Sequence, residues 1–257
     1  MPNVVRINVT PVKSTALNHP QEVRLEAPGP VDDRRFFLVD DAGEWFGGDA
    51  VAPLMLIRSS YDADLDELEL EMPDGQVVTG SAAATGEAIT VHYVGEPVPA
   101  HVVDGDWSRP LADFAGRPMR LAKLDVPGTL VDEPVTIVSL ASVQDLGRRG
   151  GRDALDTTRF RMTFDLGDCE PHEEDGWSDE RIAIGRAELQ VTGPVGRCVI
   201  TTLDQDTGKQ DFPTLKLIAA YREPIKGVDA PFGLFAKVTR PGTVRVGDPV
   251  ERRTFTR

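Results

Sequence analysis

Cys198 is the residue whose type and position could most directly do chemistry. It lies in the segment GPVGRCVITT (residues 193–202), directly after Arg197. An adjacent guanidinium favours the thiolate over the thiol, and the thiolate is the form that binds soft metals or attacks electrophiles. A lone cysteine is also commonly a small buried apolar residue at the start of a strand. The neighbouring residues therefore predict either an accessible thiolate or a core side chain, and leave both interpretations open.

Cys169 is the second cysteine, and carboxylates surround it in the segment DLGDCE (165–170). Their negative charge would raise the pKa of the thiol, so we expect Cys169 to be inert. Two cysteines are too few for a disulfide framework or for a four-cysteine zinc or iron–sulfur site. Electron transfer through a cluster would then require a separate protein.

Positive charge is concentrated between residues 148 and 161 of a chain whose formal net charge is −14. Five arginines lie there: Arg148, Arg149, Arg152, Arg159 and Arg161. Guanidinium groups can grip phosphate with two parallel hydrogen bonds, so part of this cluster could hold a phosphorylated small cofactor. The alternative is a solvated loop whose arginines pair with the neighbouring carboxylates, Asp145, Asp153 and Asp156.

Further polar candidates give weaker signals. Lys13 and Ser14 follow the first predicted strand, and Arg34 lies where the third begins, but none has the spacing of a phosphate-binding loop or a dinucleotide fingerprint. The four histidines, His19, His92, His101 and His172, show no zinc-like spacing. No Gly-x-Ser-x-Gly elbow is present, so a hydrolase has little support.

Short alternating or β-branched runs dominate the first hundred residues and predict an antiparallel β domain. The predicted strands are 4–9, 23–26, 35–39, 54–58, 68–72, 76–78 and 89–94. Gly43 and Gly75 lie in the turn segments 41–43 and 72–76, where glycine would supply a positive φ.

The second half combines strands with short helices. Helices are predicted at 108–116, 140–146 and 214–221, the second ending at Gly147. Strands are predicted at 160–166, 181–184, 188–192 and 197–203, and a closing hairpin at 233–239 and 243–246. We place the domain boundary after the first of these helices, which gives domains 1–115 and 116–257.

The composition excludes several classes of function. The 257 residues are 40% hydrophobic and 27% charged, which is ordinary for a folded protein. The net charge of −14 opposes binding to nucleic acid or to an anionic membrane, because both require a basic face. No secretory signal and no run of about 18 apolar residues is visible, so we expect a cytoplasmic protein.

Taken in order, these segments resemble the MOSC family in its two-part form, with an N-terminal MOSC β-barrel domain. In the first part the similarity is carried by PVKS (11–14), DR (33–34), FLVD (37–40) and Gly43. In the second part it is carried by RFR (159–161), EDGW (174–177), RCVITT (197–202), DTG (206–208) and VGD (246–248). The Arg-Cys-x-x-Thr-Thr sequence followed by Asp-Thr-Gly is the most specific piece. After Gly43 the chain departs from the family, because WFGGD (45–49) stands where relatives carry a basic pair.

The resemblance implies a mainly β fold of two β-barrel-like domains with a few short helices. It implies that Cys198 ligates the molybdenum of a molybdopterin-type cofactor, and pyridoxal phosphate is not expected. Residues implied to hold the pterin and its phosphate are Lys13, Ser14, Arg34, Ser142, Arg159, Arg161 and Arg197.

The family also includes amidoxime-reducing components, so the resemblance implies an oxidoreductase of N-hydroxylated small molecules with an external electron-donor protein. A second hypothesis is a cofactor carrier or sulfur carrier, in which Cys198 holds a persulfide without redox turnover. A third is a MOSC scaffold that binds neither and serves as an interaction protein.

Overall fold

The structure of the chain is a computed structural model that describes residues 1–47, 51–84, 86–126 and 128–253. Gly48 and Asp49, in the segment that departs from the family, lie outside the described residues. The chain is mainly β, as predicted. Within the described residues the first ten strands are β1 (Asn3–Ile7), β2 (Glu22–Glu26), β3 (Gly29–Pro30), β4 (Phe36–Val39), β5 (Trp45–Phe46), β6 (Arg58–Asp62), β7 (Glu67–Glu71), β8 (Val77–Ser81), β9 (Ala88–Tyr93) and β10 (Glu96–Val102).

Three short α-helices and eight further strands complete the described part of the chain. The helices are α1 (Ser108–Ala115), α2 (Leu140–Arg149) and α3 (Thr214–Tyr221). The strands are β11 (Arg120–Leu124), β12 (Val135–Ser139), β13 (Phe164–Gly167), β14 (Arg181–Ile184), β15 (Ala187–Gly196), β16 (Pro231–Arg240), β17 (Gly242–Arg245) and β18 (Val250–Arg253).

Two large sheets form the frame of the molecule. The larger has the order β1-β13-β12-β16-β15-β14-β18, and the smaller has the order β5-β4-β11-β10-β9. Two three-stranded sheets, β17-β2-β3 and β6-β7-β8, accompany them. Strand β1 pairs with β13 and β2 pairs with β17, so the start of the chain is hydrogen-bonded to strands of the second half. The division at residue 115 stays a prediction.

Separate clusters of apolar side chains pack against the faces of the sheets. Phe164 and Trp177 are fully buried in the cluster of the seven-stranded sheet. Phe36 and Phe37 are neighbours on β4, but they belong to clusters on opposite faces of the five-stranded sheet. This follows from the period of two along a strand, which turns successive side chains to opposite sides.

The helix predictions are confirmed in position, with one correction. Helix α1 ends at Gly116, whose φ of 68° is the left-handed cap that glycine favours. Helix α2 begins after Ser139, whose side chain accepts a hydrogen bond from the backbone N–H of Ser142. The predicted stop at Gly147 is wrong, because α2 continues to Arg149. A Cβ on Gly147 would lie 3.0 Å from Cβ of Leu155, so this glycine serves close packing and does not end the helix.

Three of the predicted strands are wrong wholly or in part. In the predicted strand 54–58, residues 54–56 fall in a 3₁₀ helix, Ala52–Leu56, and Arg58 begins β6. Residues 160–163 precede β13, and Phe160 ends another 3₁₀ turn, Thr157–Phe160. Residues 197–203 contain the 3₁₀ turn Val199–Thr202. In short segments of this kind, local hydrogen bonds compete successfully with a β ladder.

The closing hairpin is also wrong. Strand β17 pairs with β2 of the three-stranded sheet, whereas β16 lies between β12 and β15 of the seven-stranded sheet. The two predicted strands are present, but they belong to different sheets. Among the described residues, no helix combines the length and the apolar character needed to span a bilayer.

Candidate functional site

A cavity of about 380 Å³ brings together residues that lie far apart in the sequence. Seven of the eight predicted site residues line it: Lys13, Ser14, Arg34, Arg159, Arg161, Arg197 and Cys198. They come from loops after β1, before β4, before β13 and after β15. The volume lies within the range of small-molecule and cofactor sites.

Cys198 is exposed and lines this cavity. It follows the end of β15 at Gly196 and precedes the Val199–Thr202 turn, so it marks the exit from a strand and not the entry that the sequence predicts. The turn is closed by local bonds, since the hydroxyl of Thr201 donates to the carbonyl of Cys198 at 2.9 Å. The thiol is therefore on a fixed backbone and open to the cavity, where a sulfur atom could ligate a soft metal.

Arg197 lies deep beside this cysteine. Its guanidinium donates to the backbone carbonyl of Phe160 and to Sδ of Met162. Burial lowers the pKa of Arg197 to about 10. Its buried Nε has no hydrogen-bond partner among the described residues. The same holds for Nε of Arg35, Arg120 and Arg222 outside the lining, so it does not by itself indicate a ligand.

Arg159 is 2% exposed and is held by Asp211 and by the carbonyl of Thr201, each 3.2 Å from Nη1. Its Nε is the second buried guanidinium donor of the cavity lining without a partner in the described chain. The side chain of Phe212 lies against the guanidinium, 5.5 Å from the ring centroid. Arg159 is thus fixed in place at the cavity lining by Asp211 and Thr201.

Arg161 reaches across to the first part of the chain. Its Nη2 donates to the carbonyl of Thr15 at 2.6 Å, and its Nη1 donates to Gln205 at 3.2 Å. Burial, and secondly the charge of Arg34, lower the pKa of Arg161 to about 9. Arg34 itself pairs with the buried carboxylate of Asp33.

Three of the lining residues have left-handed backbones although none is glycine. The φ values are 76° for Ser14, 49° for Arg34 and 51° for Arg161. This region costs an ordinary residue roughly 1–2 kcal/mol, so the surrounding bonds must impose it. For Arg34 the backbone N–H donates to Thr10 at 2.6 Å, and for Arg161 it donates to Thr158 at 2.9 Å. Eight further non-glycine residues of the described chain have a positive φ outside this lining, so the strain alone does not mark the cavity.

Lys13 lies against two aromatic rings of the cavity. Its Nζ donates to the carbonyl of Leu130 at 2.8 Å and to the hydroxyl of Tyr93 at 3.2 Å. The ammonium is 4.7 Å from the ring centroid of Tyr93 and 5.4 Å from that of Trp45. Burial, followed by the charge of Arg34, lowers the pKa of Lys13 to about 7.

The side chains that line the cavity carry a net positive charge, opposite in sign to the net charge of the whole chain. Its described lining carries five cationic side chains, Lys13, Arg34, Arg159, Arg161 and Arg197. It carries two carboxylates, Asp132 and Glu133. An acidic protein therefore presents a basic cavity, and such a cavity favours an anionic ligand such as a phosphate.

Ser142 is the one predicted site residue that lies away from this lining. It is fully buried on α2, and its hydroxyl lies 2.8 and 3.0 Å from the two carboxylate oxygens of Glu174. The backbone N–H of His172 donates to the same hydroxyl at 2.8 Å. These contacts describe a structural hydrogen-bond network beneath the helix.

Two of the three remaining arginines of the 148–161 cluster pair with a neighbouring carboxylate, as the solvated alternative predicts. Arg148 and Arg149 pair with Asp145 at 3.4 and 2.6 Å. Arg152 pairs with Asp211 at 2.6 Å instead of with a sequence neighbour. The cluster therefore divides, with Arg159 and Arg161 at the cavity and the other three outside its lining.

Cys169 lies apart from the cavity and packs against the core of the seven-stranded sheet. Burial, and secondly the charge of Glu174, raise the pKa of this thiol to about 12. Its Sγ lies 3.4 Å from the carbonyl of Gly167. The carboxylate charge that the sequence indicates is thus only the second cause of the raised pKa, after burial, and the inertness of Cys169 stays a prediction.

Sequence reasoning missed the aromatic side of the cavity. Trp45 and Tyr93 line it together with the acidic side chain of Asp132. Only the positions of the two residues in the sequence could have pointed to them. Trp45 lies in the segment that departs from the family, and Tyr93 lies near the end of a predicted strand. Nothing in either local pattern indicates that the two rings meet.

A protein-family profile and several curated proteins match this chain. The MOSC domain profile matches residues 45–251. "Mitochondrial amidoxime-reducing component 1" of Homo sapiens is 33% identical over 148 residues, covering 52% of this chain and 42% of that protein. The protein of the same name from Danio rerio is 36% identical over 128 residues, covering 48% of this chain and 38% of that protein. That from Xenopus laevis is 25% identical over 285 residues, covering 98% of this chain and 82% of that protein. The matched regions thus span about two fifths of the first two relatives and most of the third.

Proposed function

The chain belongs to the MOSC domain family, and from this premise we propose that it binds a molybdenum cofactor of the molybdopterin type and reduces N-hydroxylated small molecules. In this proposal Cys198 is the protein ligand of the metal. The curated relatives are named for the reduction of amidoximes, and this name supports the substrate class.

The observation that carries the proposal is one exposed thiol in a cavity with five cationic side chains. The thiolate of Cys198 suits a soft metal, and the guanidinium groups suit the phosphate of a pterin. The residues present therefore fit the cofactor.

Each side chain has a distinct task in this proposal. Arg159, Arg161 and Arg197 hold the anionic part of the cofactor, while Cys198 holds the metal. Arg34 acts mainly through its bond to the Arg161 backbone and through its charge. The cofactor, when bound, would supply oxygen-atom transfer coupled to a change of two in oxidation state.

The net reaction balances with an external reductant. The N–O bond of R–C(NH₂)=N–OH breaks, two electrons and two protons are consumed, and R–C(NH₂)=NH and water are formed. In this proposal the electrons come from an external electron-donor protein. Nζ of Lys13, with a pKa of about 7, can hold or release a proton near neutral pH within the same cavity.

Metal analysis and turnover test this proposal together. Protein purified from cells that make the cofactor should contain molybdenum and should reduce benzamidoxime with a reduced viologen dye as donor. Cys198→Ser should lose the metal and the activity, whereas Cys169→Ser, the matched control, should keep both. Molybdenum-loaded protein that reduces no N-hydroxylated compound would count against the proposed reaction.

The same protein tests the sulfur-carrier alternative, which the exposure of Cys198 also favours. Intact mass measurement after thiol alkylation should show no extra sulfur on Cys198 if this residue ligates metal. A persulfide on Cys198 without bound molybdenum would support the carrier. The cytoplasmic location stays a prediction, since the curated relatives bear mitochondrial names.

A further inference from the structure

Trp45 and Tyr93 form an aromatic wall on one side of the cavity that Cys198 lines. Their ring centroids are 5.1 Å apart and their planes are tilted by 60°. Both side chains are half-buried, so part of each ring is open to the cavity.

Both rings are anchored by their polar ends. Nε1 of Trp45 donates to the carbonyl of His92 at 2.9 Å, and the hydroxyl of Tyr93 donates to Asp132 at 2.9 Å. Apolar packing against Phe37 and its neighbours in the same cluster supports them from behind. The wall is therefore set before any ligand arrives, and binding to it costs little conformational entropy.

Three of the five cationic groups of the cavity lining come from the second half of the chain, and Lys13 and Arg34 come from the first half. Arg159, Arg161 and Arg197 come from the loops before β13 and after β15, whereas Trp45 and Tyr93 come from β5 and β9 of the five-stranded sheet. The second half of the chain thus builds most of the basic side of the cavity. The first half builds the aromatic wall, with the ammonium of Lys13 lying against both of its rings.

We propose that Trp45 and Tyr93 determine specificity by stacking on the substrate, so that flat, unsaturated N-hydroxylated compounds are preferred over saturated ones. This inference rests on the proposed function and adds the substrate class to it. Indole and phenol rings gain from offset or tilted contact with another π system, which a saturated ring of equal size cannot provide.

Two compounds that share the same reacting group test the preference for a flat ring. Benzamidoxime and cyclohexanecarboxamidoxime both carry the amidoxime, and they differ in whether the ring is flat. The measurement is kcat/KM per bound molybdenum for each compound, with a reduced viologen dye as donor. The wild-type chain should prefer benzamidoxime. Trp45→Leu should reduce this preference about tenfold, the upper range for a lost aromatic contact.

Two variants separate stacking from a structural effect. Trp45→Phe keeps a flat ring but loses the bond to His92, so the preference should stay within about threefold of wild type. Phe46→Leu is the matched control on the same strand, because Phe46 packs into a different cluster and is not among the cavity-lining residues described. It should leave the preference unchanged.

Tryptophan emission supplies a readout that does not require turnover. Trp107 and Trp177 are 1% and 0% exposed, so a ligand in the cavity should alter mainly the emission of Trp45. Benzamidoxime added without an electron donor should change the emission of the wild-type protein. In Trp45→Phe the emission change should vanish while calorimetry still detects binding.

The outcomes distinguish this inference from the proposed function. If the wild-type protein reduces both compounds and Trp45→Leu lowers both rates equally, the inference is overturned while the proposed reaction stands. A loss of molybdenum in Trp45→Leu would also overturn it, since the wall would then hold the cofactor. If neither compound is reduced but benzamidoxime still changes the emission of Trp45, the reaction fails and the aromatic site is supported.

Discussion

The guanidinium of Arg34 donates a hydrogen bond to the backbone carbonyl of Arg161, 3.1 Å away and 127 residues later in the chain. Both residues line the cavity, and both have left-handed backbones. The bond holds one strained turn against the other. The position of each cation therefore depends on the conformation of the partner loop.

Replacing Arg161 by glycine and by alanine should separate the backbone strain from the loss of the guanidinium. Both variants lose the contacts with Gln205 and Thr15, and both should retain less molybdenum. Arg161→Gly should be more stable than Arg161→Ala by about 1 kcal/mol, because only alanine has a Cβ to strain at φ 51°. Urea unfolding measures the difference.

The control for that pair is Lys216, exposed in helix α3. There the order should reverse, with Lys216→Gly less stable than Lys216→Ala by up to about 1 kcal/mol. Equal stability of the two Arg161 variants would show that the left-handed backbone stores no strain.

Alkylation should distinguish the two cysteines. Iodoacetamide reacts with thiolates, and the pKa of Cys169 is raised to about 12 by burial and by Glu174. The folded chain without cofactor should therefore be labelled at Cys198 at pH 8 while Cys169 stays protonated and unreactive. Peptide mass mapping measures both sites. Cys198→Ser should remove the rapid label, and equal labelling of the two cysteines would contradict the structure.

Arg159 and Arg152 share the carboxylate of Asp211, but their burial differs. The side chain of Arg159 is 2% exposed and that of Arg152 is 36% exposed. Arg159→Met should cost roughly 2–3 kcal/mol of unfolding free energy and should weaken molybdenum retention. Arg152→Met should cost about 1 kcal/mol or less and should leave the metal in place. Equal losses in the two variants would contradict the assignment of Arg159 to the site.

Ser142→Ala should affect stability and leave the metal content unchanged. The hydroxyl serves Glu174 and the backbone of His172 in a fully buried position. Its removal should cost roughly 1–3 kcal/mol, the range for a buried polar group left without a partner. Thermal unfolding and metal analysis on one preparation provide both readouts. A loss of molybdenum at unchanged stability would instead assign Ser142 to the cofactor site.

Lys13 should react with amine reagents at a lower pH than the exposed lysines do. The amine is charged below its pKa and nucleophilic above it, and the pKa of Lys13 is lowered to about 7 by burial and by Arg34. Acetylation of the chain without cofactor should therefore increase at Lys13 as the pH rises through about 7. The exposed Lys216 serves as the comparison, and peptide mass mapping measures acetylation at both lysines. Identical pH profiles at the two lysines would contradict the lowered pKa.

Strong local signals were sufficient to predict much of the fold. Helix α3 has the predicted bounds, and α1 ends at the glycine that the pattern indicates. Failures occurred where a short apolar run folded into a 3₁₀ turn, as at 197–203, because periodicity in so few residues does not separate the two states. The hairpin of β16 and β17 failed because strand pairing is a non-local choice.

The sequence by itself determined that Cys198 is the candidate metal ligand, since the residue types around it carry the family resemblance. It also determined that basic residues are concentrated near position 150. Only the tertiary structure decided that Arg159 and Arg161 reach the cavity while Arg148 and Arg149 pair with Asp145. Only the tertiary structure likewise decided that the rings of Trp45 and Tyr93 are in contact. The physical reason is that a cavity forms where distant segments pack, and the chemistry of a residue does not encode which distant residue it will meet.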